Sequence, residues 1–215
     1  MLWETFSWTS VQNWGPDDWF LILAFVFGVP SFFIYWIHEL KGTTKPHPLT
    51  WTLFLLTMCV ATVTAYVGEG GKGVYYNVFY CFCIATVLLT SIIKDGFRWK
   101  EVEPQDVIGM SICIASIAFW VKFNNPYVAL FVATGVDAYG FKLTFRKTYH
   151  RPWSETALGW GLSVPNIVFT GLAMENYNWL TLTYPIVMSI ITFALVLVCL
   201  SRRRAIPRPQ LQSEF

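Results

Sequence analysis

Seven apolar runs separated by short polar connectors dominate this chain, at 19–38, 49–67, 74–93, 107–121, 126–145, 156–173 and 180–201. About 20 apolar residues suffice to cross the hydrocarbon core as a helix. Lipid offers the backbone no hydrogen bonds, so an isolated run of this kind must satisfy its own amides, and only a helix does that. The fourth run is the shortest, though it carries no charge. The connectors are rich in turn formers: GEGGKG after the second run, KFNNP after the fourth, MENYN after the sixth. Composition agrees, with 55% hydrophobic and 13% charged residues, where an average chain carries about 25% charged. The expected class is an all-α membrane protein with seven transmembrane helices.

The formal net charge is only +2, and no basic patch is interleaved with aromatics outside the apolar runs. Nucleic acid is therefore not an expected partner. Cys59, Cys81, Cys83, Cys113 and Cys199 all fall inside the runs, where cysteine packs as a small apolar side chain. None has the spacing and flanking histidines of a zinc site. No metal and no cofactor is expected. Residues 1–18 hold no lysine, arginine or apolar run, unlike a secretory signal. Trp3, Phe6, Trp8 and Trp14 there, with Trp19 following, read as a segment lying at the membrane interface.

Lysine and arginine in short loops stay on the cytoplasmic side. They alternate along this chain: Lys41 and Lys45 after the first run, Lys72 alone after the second, then Lys94, Arg98 and Lys100. Lys122 alone follows the fourth run, Arg146, Lys147 and Arg151 the fifth, and nothing basic the sixth. The tail carries Arg202, Arg203, Arg204 and Arg208. The expectation is a multi-pass protein of the cell (plasma or inner) membrane, with its N-terminus outside and its C-terminus cytoplasmic.

The chain also reads as a duplication. Gly28-Val29 and Gly135-Val136 stand 107 positions apart, and Lys45-Pro46 and Arg151-Pro152 stand 106 apart. One run separates the copies, so two parallel three-helix repeats joined by a linker helix (3+1+3) are expected. The division is an interfacial segment (1–18), a first repeat (19–95), a linker helix region (96–124), a second repeat (125–201) and a basic cytoplasmic tail (202–215).

Two motifs carry a family resemblance. The first is KPHPLTW from Lys45 to Trp51. The second runs through Asp137, Thr144, Lys147, Tyr149, Pro152 and Glu155. With the 3+1+3 layout they resemble the SWEET and PQ-loop transporter superfamily, most closely the uncharacterised bacterial seven-transmembrane-helix proteins of that shape. The Pro-Gln pair that names PQ-loop proteins is replaced by Pro-His and Pro-Trp. Nicotinamide riboside transporters share the layout, but their dense Trp-Asn signature is absent. The resemblance implies solute transport by alternating access between two triple-helix bundles.

Asp137 is the sharpest candidate site. It lies 11 residues into the fifth run, about 16 Å deep at the helical rise. An ionisable group at that depth normally faces the bundle interior or a wet cavity. It reads either as a substrate or proton-coupling carboxylate, or as a structural one bonded to a neighbouring hydroxyl. Asn166 follows Pro165 at comparable depth, and either recognises a hydroxylated solute or satisfies backbone loosened by the proline. Asn77 lies nearer the outer surface, where a cap or interhelical bond is the plainer reading. Trp160, Tyr139, Tyr184 and Tyr80 offer flat faces to a sugar or heterocycle, while Trp51 reads as interfacial belt.

Pro30, Pro165 and Pro185 fall mid-run and can act as pivots. Pro46 and Pro152 occupy equivalent positions in the two copies, as a pair of gate elements would. Glu155 and Lys147 stand at the inner mouth, as an ion-paired latch or as solvated charges.

The leading expectation is a transporter or facilitator of a small polar solute, sugar-like or nucleoside- or vitamin-like. A non-transporting seven-helix scaffold or accessory subunit is the alternative. An enzyme is not expected: His38, His47 and His150 lack catalytic or ligand spacing such as HExxH. No lysine occupies the seventh run, which argues against a retinal protein. The partners expected are the solute and the bilayer. Homo-oligomers are compatible with the pattern, but the simpler pathway is monomeric, because one chain already holds both repeats.

Overall fold

The computed structural model describes residues 14–44, 46, 48–96 and 104–207. Several readings fall outside these residues: the interfacial Trp3, Phe6 and Trp8, the motif residue Lys45, His47, the loop cations Arg98 and Lys100, and Arg208 in the tail. The described chain contains helices α1 (Pro16–Leu40), α2 (Pro48–Val67), α3 (Gly73–Asp95), α4 (Pro104–Phe123), α5 (Pro126–His150), α6 (Ala157–Leu172) and α7 (Trp179–Ala205). A single 3-10 turn, Pro152–Ser154, precedes α6. No strand occurs among the described residues.

Five of these helices, α1, α2, α3, α5 and α7, are long and apolar enough to cross a membrane. The apolar stretch of α4, Val107–Phe123, and the whole of α6 are shorter. Burial is inverted relative to a water-soluble domain. Thr57, Thr64, Thr148, Thr181 and Thr192 are fully buried, while Ile93 is 82% and Val121 80% exposed. An apolar exterior around a hydroxyl-rich interior is stable only where the surroundings are apolar too. Several buried hydroxyls are satisfied locally: Thr57, Thr62 and Thr134 each donate to the carbonyl four residues back, at 2.7–3.0 Å.

Helix ends differ from the apolar runs in four places. α1 begins at Pro16, so Asp17 and Asp18 belong to its first turn rather than to a separate segment ending at 18. Carboxylates are favoured there by the helix dipole. α5 continues to His150, and α7 continues to Ala205. Arg202, Arg203 and Arg204 therefore form the last turn of α7 instead of opening a tail. Long basic side chains let a helix outrun its apolar stretch, because their heads reach water while their stems stay packed. α4 spans 20 residues and α6 only 16, so the shortest helix is the sixth. Asn178 caps α7 by accepting from the backbone of Leu180 at 2.8 Å, and Asn125 caps α5 through Tyr127 at 3.1 Å.

α1 packs most extensively on α6, and α6 in turn on α7. α5 packs on α7, α2 on both α3 and α5, and smaller contacts join α1 to α3, α2 to α7 and α3 to α6. α4 touches α5 and, less, α2, and so lies at the edge. The α1–α6 seam is built from small residues. Ser31 Oγ donates to the Gly159 carbonyl at 2.9 Å and meets Ser163 Oγ at 2.7 Å. Small side chains let helix backbones approach closely in lipid.

Candidate functional site

One face of α5 explains how a carboxylate comes to lie inside the bundle. Leu130, Thr134, Asp137, Phe141 and Thr148 are all buried and recur at three-, four- and seven-residue intervals. Residues so spaced share a helix face. Asp137, 3% exposed, follows that stripe into a cavity of about 70 Å³ between α2, α3, α5, α6 and α7. One water needs about 10–15 Å³ measured this way, so the space holds several.

Asp137 divides its two oxygens. Oδ2 accepts a 2.6 Å hydrogen bond from the Tyr184 hydroxyl. Oδ1 is buried and takes no hydrogen bond. Thr57 lies beside the carboxylate but donates its proton to the Leu53 carbonyl at 3.0 Å.

Across the cavity Asn166 Nδ2 donates to the Tyr76 hydroxyl, and Thr170 Oγ1 lies 3.3 Å from Asn166 Oδ1. Gly28 of α1 sits directly against this pair. A Cβ there would collide with both the Tyr76 hydroxyl and the Asn166 amide.

Asp137, Asn166, Trp160, Tyr184, Tyr80 and Asn77 all line the cavity. Tyr139 does not. Two residues beyond Asp137, it is turned about 200° around the helix, and it stands 41% exposed with the Lys142 ammonium 5.3 Å from its ring centre. One further reading needs correction: Trp51 lines the cavity instead of lying in the belt. Asn77, five residues into α3, is buried and lines the cavity. Tyr76, Gly28 and Thr57 were missed. Tyr76 stands one helical turn before Tyr80 and stacks on it at 6.1 Å, the sequence spacing that would have flagged it.

Below this cavity a smaller space of about 30 Å³ opens toward the end that carries the α1–α2 and α5–α6 connections. Trp51, Tyr80 and Trp160 line both spaces. At this end Glu155 is buried and fully engaged. Lys147 Nζ lies 2.8 Å from Oε1, and the Trp160 indole donates to Oε2 at 3.0 Å. The two are thus ion-paired, not separate solvated charges. Thr44 Oγ1 meets Thr156 Oγ1 at 3.3 Å across the halves.

Pro46 and Pro152 have matching partners. Ser91 of α3 donates to the Pro46 carbonyl at 3.0 Å, and Cys199 of α7 donates to that of Pro152 at 3.5 Å. The mid-helix prolines Pro30, Pro165 and Pro185 lie within continuous α1, α6 and α7, and Pro185 also lines the cavity.

The opposite end is closed as well. Lys72 Nζ lies 2.8 Å from both Asp17 Oδ2 and Asp18 Oδ2. Hydrogen bonds donated by Lys72 to the Asp17 and Asp18 carboxylates hold the ammonium proton and push the Lys72 pKa above the ordinary lysine value. The Glu175 amide donates to the Gly70 carbonyl at 3.1 Å, and Asn178 Nδ2 to that of Gly68 at 2.8 Å. Gly71, at φ +59, takes a left-handed turn tightly under the Glu175 carboxylate, where any side chain would clash.

No protein-family model, curated protein or solved structure matches this chain.

Proposed function

We propose that the chain is an integral-membrane transporter or facilitator of a small solute, working by alternating access between two three-helix bundles. The observation that carries this reading is the cavity around Asp137, enclosed between cross-helix contacts at both ends. A scaffold has no use for a buried carboxylate with an unsatisfied oxygen, since such a group costs stability. A transporter caught with both mouths shut does.

Helix packing supports the 3+1+3 arrangement. Exchanging α1 with α5, α2 with α6 and α3 with α7 converts each pairing into another. The α1–α6 contact becomes α5–α2, α2–α3 becomes α6–α7, α1–α3 becomes α5–α7, and α3–α6 becomes α7–α2. α4 stands outside this exchange, as a linker would. The paired carbonyl contacts of Pro46 and Pro152 obey it too. In this reading the chain is similar to SWEET and PQ-loop proteins, and the Lys147–Glu155 latch closes the cytoplasmic mouth. The Lys72 cluster closes the outer one, and the N-terminus lies outside.

The test is counterflow in proteoliposomes: protein preloaded with a panel of unlabelled sugars, nucleosides, vitamins and amines, each assayed against its labelled form. Exchange of any one that disappears in Asp137→Asn supports the reading. Absence of exchange across the panel, with folded protein in the bilayer, overturns it.

A further inference from the structure

The chemistry of the cavity wall is one-sided, and that says what it takes. Among the described residues Asp137 is the only charged side chain lining it, and no lysine, arginine or histidine of these faces it. Rings of Trp51, Phe54, Tyr80, Phe141 and Trp160 form much of the rest. Aromatic faces carry negative charge density and attract cations, most strongly where water is excluded. Several donors near the wall are already spent. The Tyr184 hydroxyl points to Asp137 Oδ2, the Asn166 amide to Tyr76, and the Trp160 indole to Glu155. Asp137 Oδ1 has no hydrogen-bond partner and is covered within the bundle, and the wall also carries the Asn77 amide and the Tyr76 and Tyr80 hydroxyls.

An anion would meet the Asp137 carboxylate with no cationic side chain among the described lining residues to offset it. A small metal ion takes about six oxygens, and here a lone carboxylate faces rings. A protonated amine fits the charge and the rings: the Asp137 carboxylate is its countercharge and acceptor of a charge-assisted bond, and its carbon substituents lie against the ring faces.

We infer that the Asp137 cavity is a binding site for a small organic monocation, a protonated amine with short alkyl substituents. The inference rests on the transport reading for its role as cargo, and on the cavity alone for its charge. Burial of the ammonium beside Asp137 also supplies the countercharge that the carboxylate otherwise lacks.

The experiment compares two molecules of the same shape. Protonated dimethylethanolamine and neutral 3-methylbutanol differ in whether nitrogen or carbon carries the two methyl groups. Binding of each to the purified protein is measured by calorimetry and thermal shift, with glucose and uridine as neutral polar controls. The amine should bind at least about tenfold tighter than the alcohol, from ring and carboxylate contributions together. Asp137→Asn should narrow the difference, leaving the part that the rings supply. Tyr80→Leu thins the ring wall without touching the carboxylate, and it should weaken the amine several-fold and the alcohol little.

Equal binding of amine and alcohol by the parent overturns the inference without recourse to any variant. Counterflow of glucose or uridine with no amine binding also overturns it, and leaves transport standing. Selective amine binding without amine counterflow supports the cation site and overturns transport.

Discussion

Trp160 and Glu155 are tied by an indole hydrogen bond of 3.0 Å, and that bond joins a cavity wall to the Lys147–Glu155 ion pair. Trp160 lines both internal spaces. Glu155, five residues earlier, is held from its other oxygen by Lys147. A rearrangement of the latch therefore cannot leave the cavity wall in place. Coupling between a mouth and a binding site needs such a shared element with two arrangements.

The latch gives the first prediction. Lys147→Met strands a buried carboxylate, and because the ammonium is itself 37% exposed the loss should be about 1–3 kcal/mol. Lys147→Met combined with Glu155→Gln removes the charge while keeping an oxygen for Trp160. The double variant should melt closer to the parent than Lys147→Met does, measured in one detergent. A double variant less stable than either single would show that the pair does not act as a unit.

Gly28 is the second. Its missing side chain lets α1 reach the Tyr76–Asn166 pair on α3 and α6. Gly28→Ala should destabilise the protein by about 1–3 kcal/mol, the usual range for overpacking. Tyr76→Phe removes the hydroxyl that the new methyl would strike. Adding it should recover part of the loss, whereas Tyr76→Phe alone should be destabilising through the Asn166 amide it leaves without a partner. Thermal melts of the four proteins decide it.

The inward direction of Asp137 and Asn166 was legible in the sequence for a simple reason. In an apolar run a charged or amide side chain has nowhere favourable to point but the interior. Tyr139 misled for the complementary reason: a tyrosine is content at a lipid-facing surface, so its presence in the run carries no direction, and the helical phase set by Asp137 turns it outward. Trp51 was misplaced because belt and cavity tryptophans have the same composition, and only packing against Tyr35, at 5.1 Å between ring centres, separates them. The Lys147–Glu155 contact has no periodic signature. It exists because the Pro152–Ser154 turn reverses the chain between α5 and α6. Gly28 was read as half of a repeat marker, and its role as a contact point depends on two helices distant in sequence.

Lys72 gives the third prediction, one of pH insensitivity. Its folded pKa is raised by Asp17 and Asp18. Its contribution is thus fully present below the unfolded lysine value of about 10.4, and it is lost only as pH rises through the higher folded value. Lys72→Gln should therefore cost the same at pH 6 and pH 9, and little in either case, about 0–1 kcal/mol for a partly exposed ion pair. High salt should mimic the substitution. Hydrogen exchange at the Lys72 amide, which donates to Glu175 Oε1 at 3.2 Å, should speed up while the interior of α3 does not. A melting temperature in the parent that falls between pH 6 and pH 9, and does not fall in Lys72→Gln, would refute this.

Thr44 and Thr156 supply the most direct test of alternating access. Their hydroxyls meet at 3.3 Å, both buried, one after α1 and the other at the start of α6. In the proposed arrangement these belong to opposite bundles, so closure at this mouth brings them together and opening must part them. Replacing both, as Thr44→Cys and Thr156→Cys, puts two sulfurs at a separation that small shifts can close to a disulfide. Cys59 and Cys81 provide an internal contrast. Their sulfurs lie 4.0 Å apart between α2 and α3, within one proposed bundle. Oxidation of the parent, with bridging confined to Cys59 and Cys81, should leave counterflow intact, because the bundle moves as a body. Oxidation of the double variant, built with Cys59→Ser to keep the two effects apart, should abolish counterflow, and reductant should restore it. Counterflow that persists through a verified Thr44–Thr156 crosslink would mean that this mouth does not open, and the rocking of two bundles would have to be abandoned.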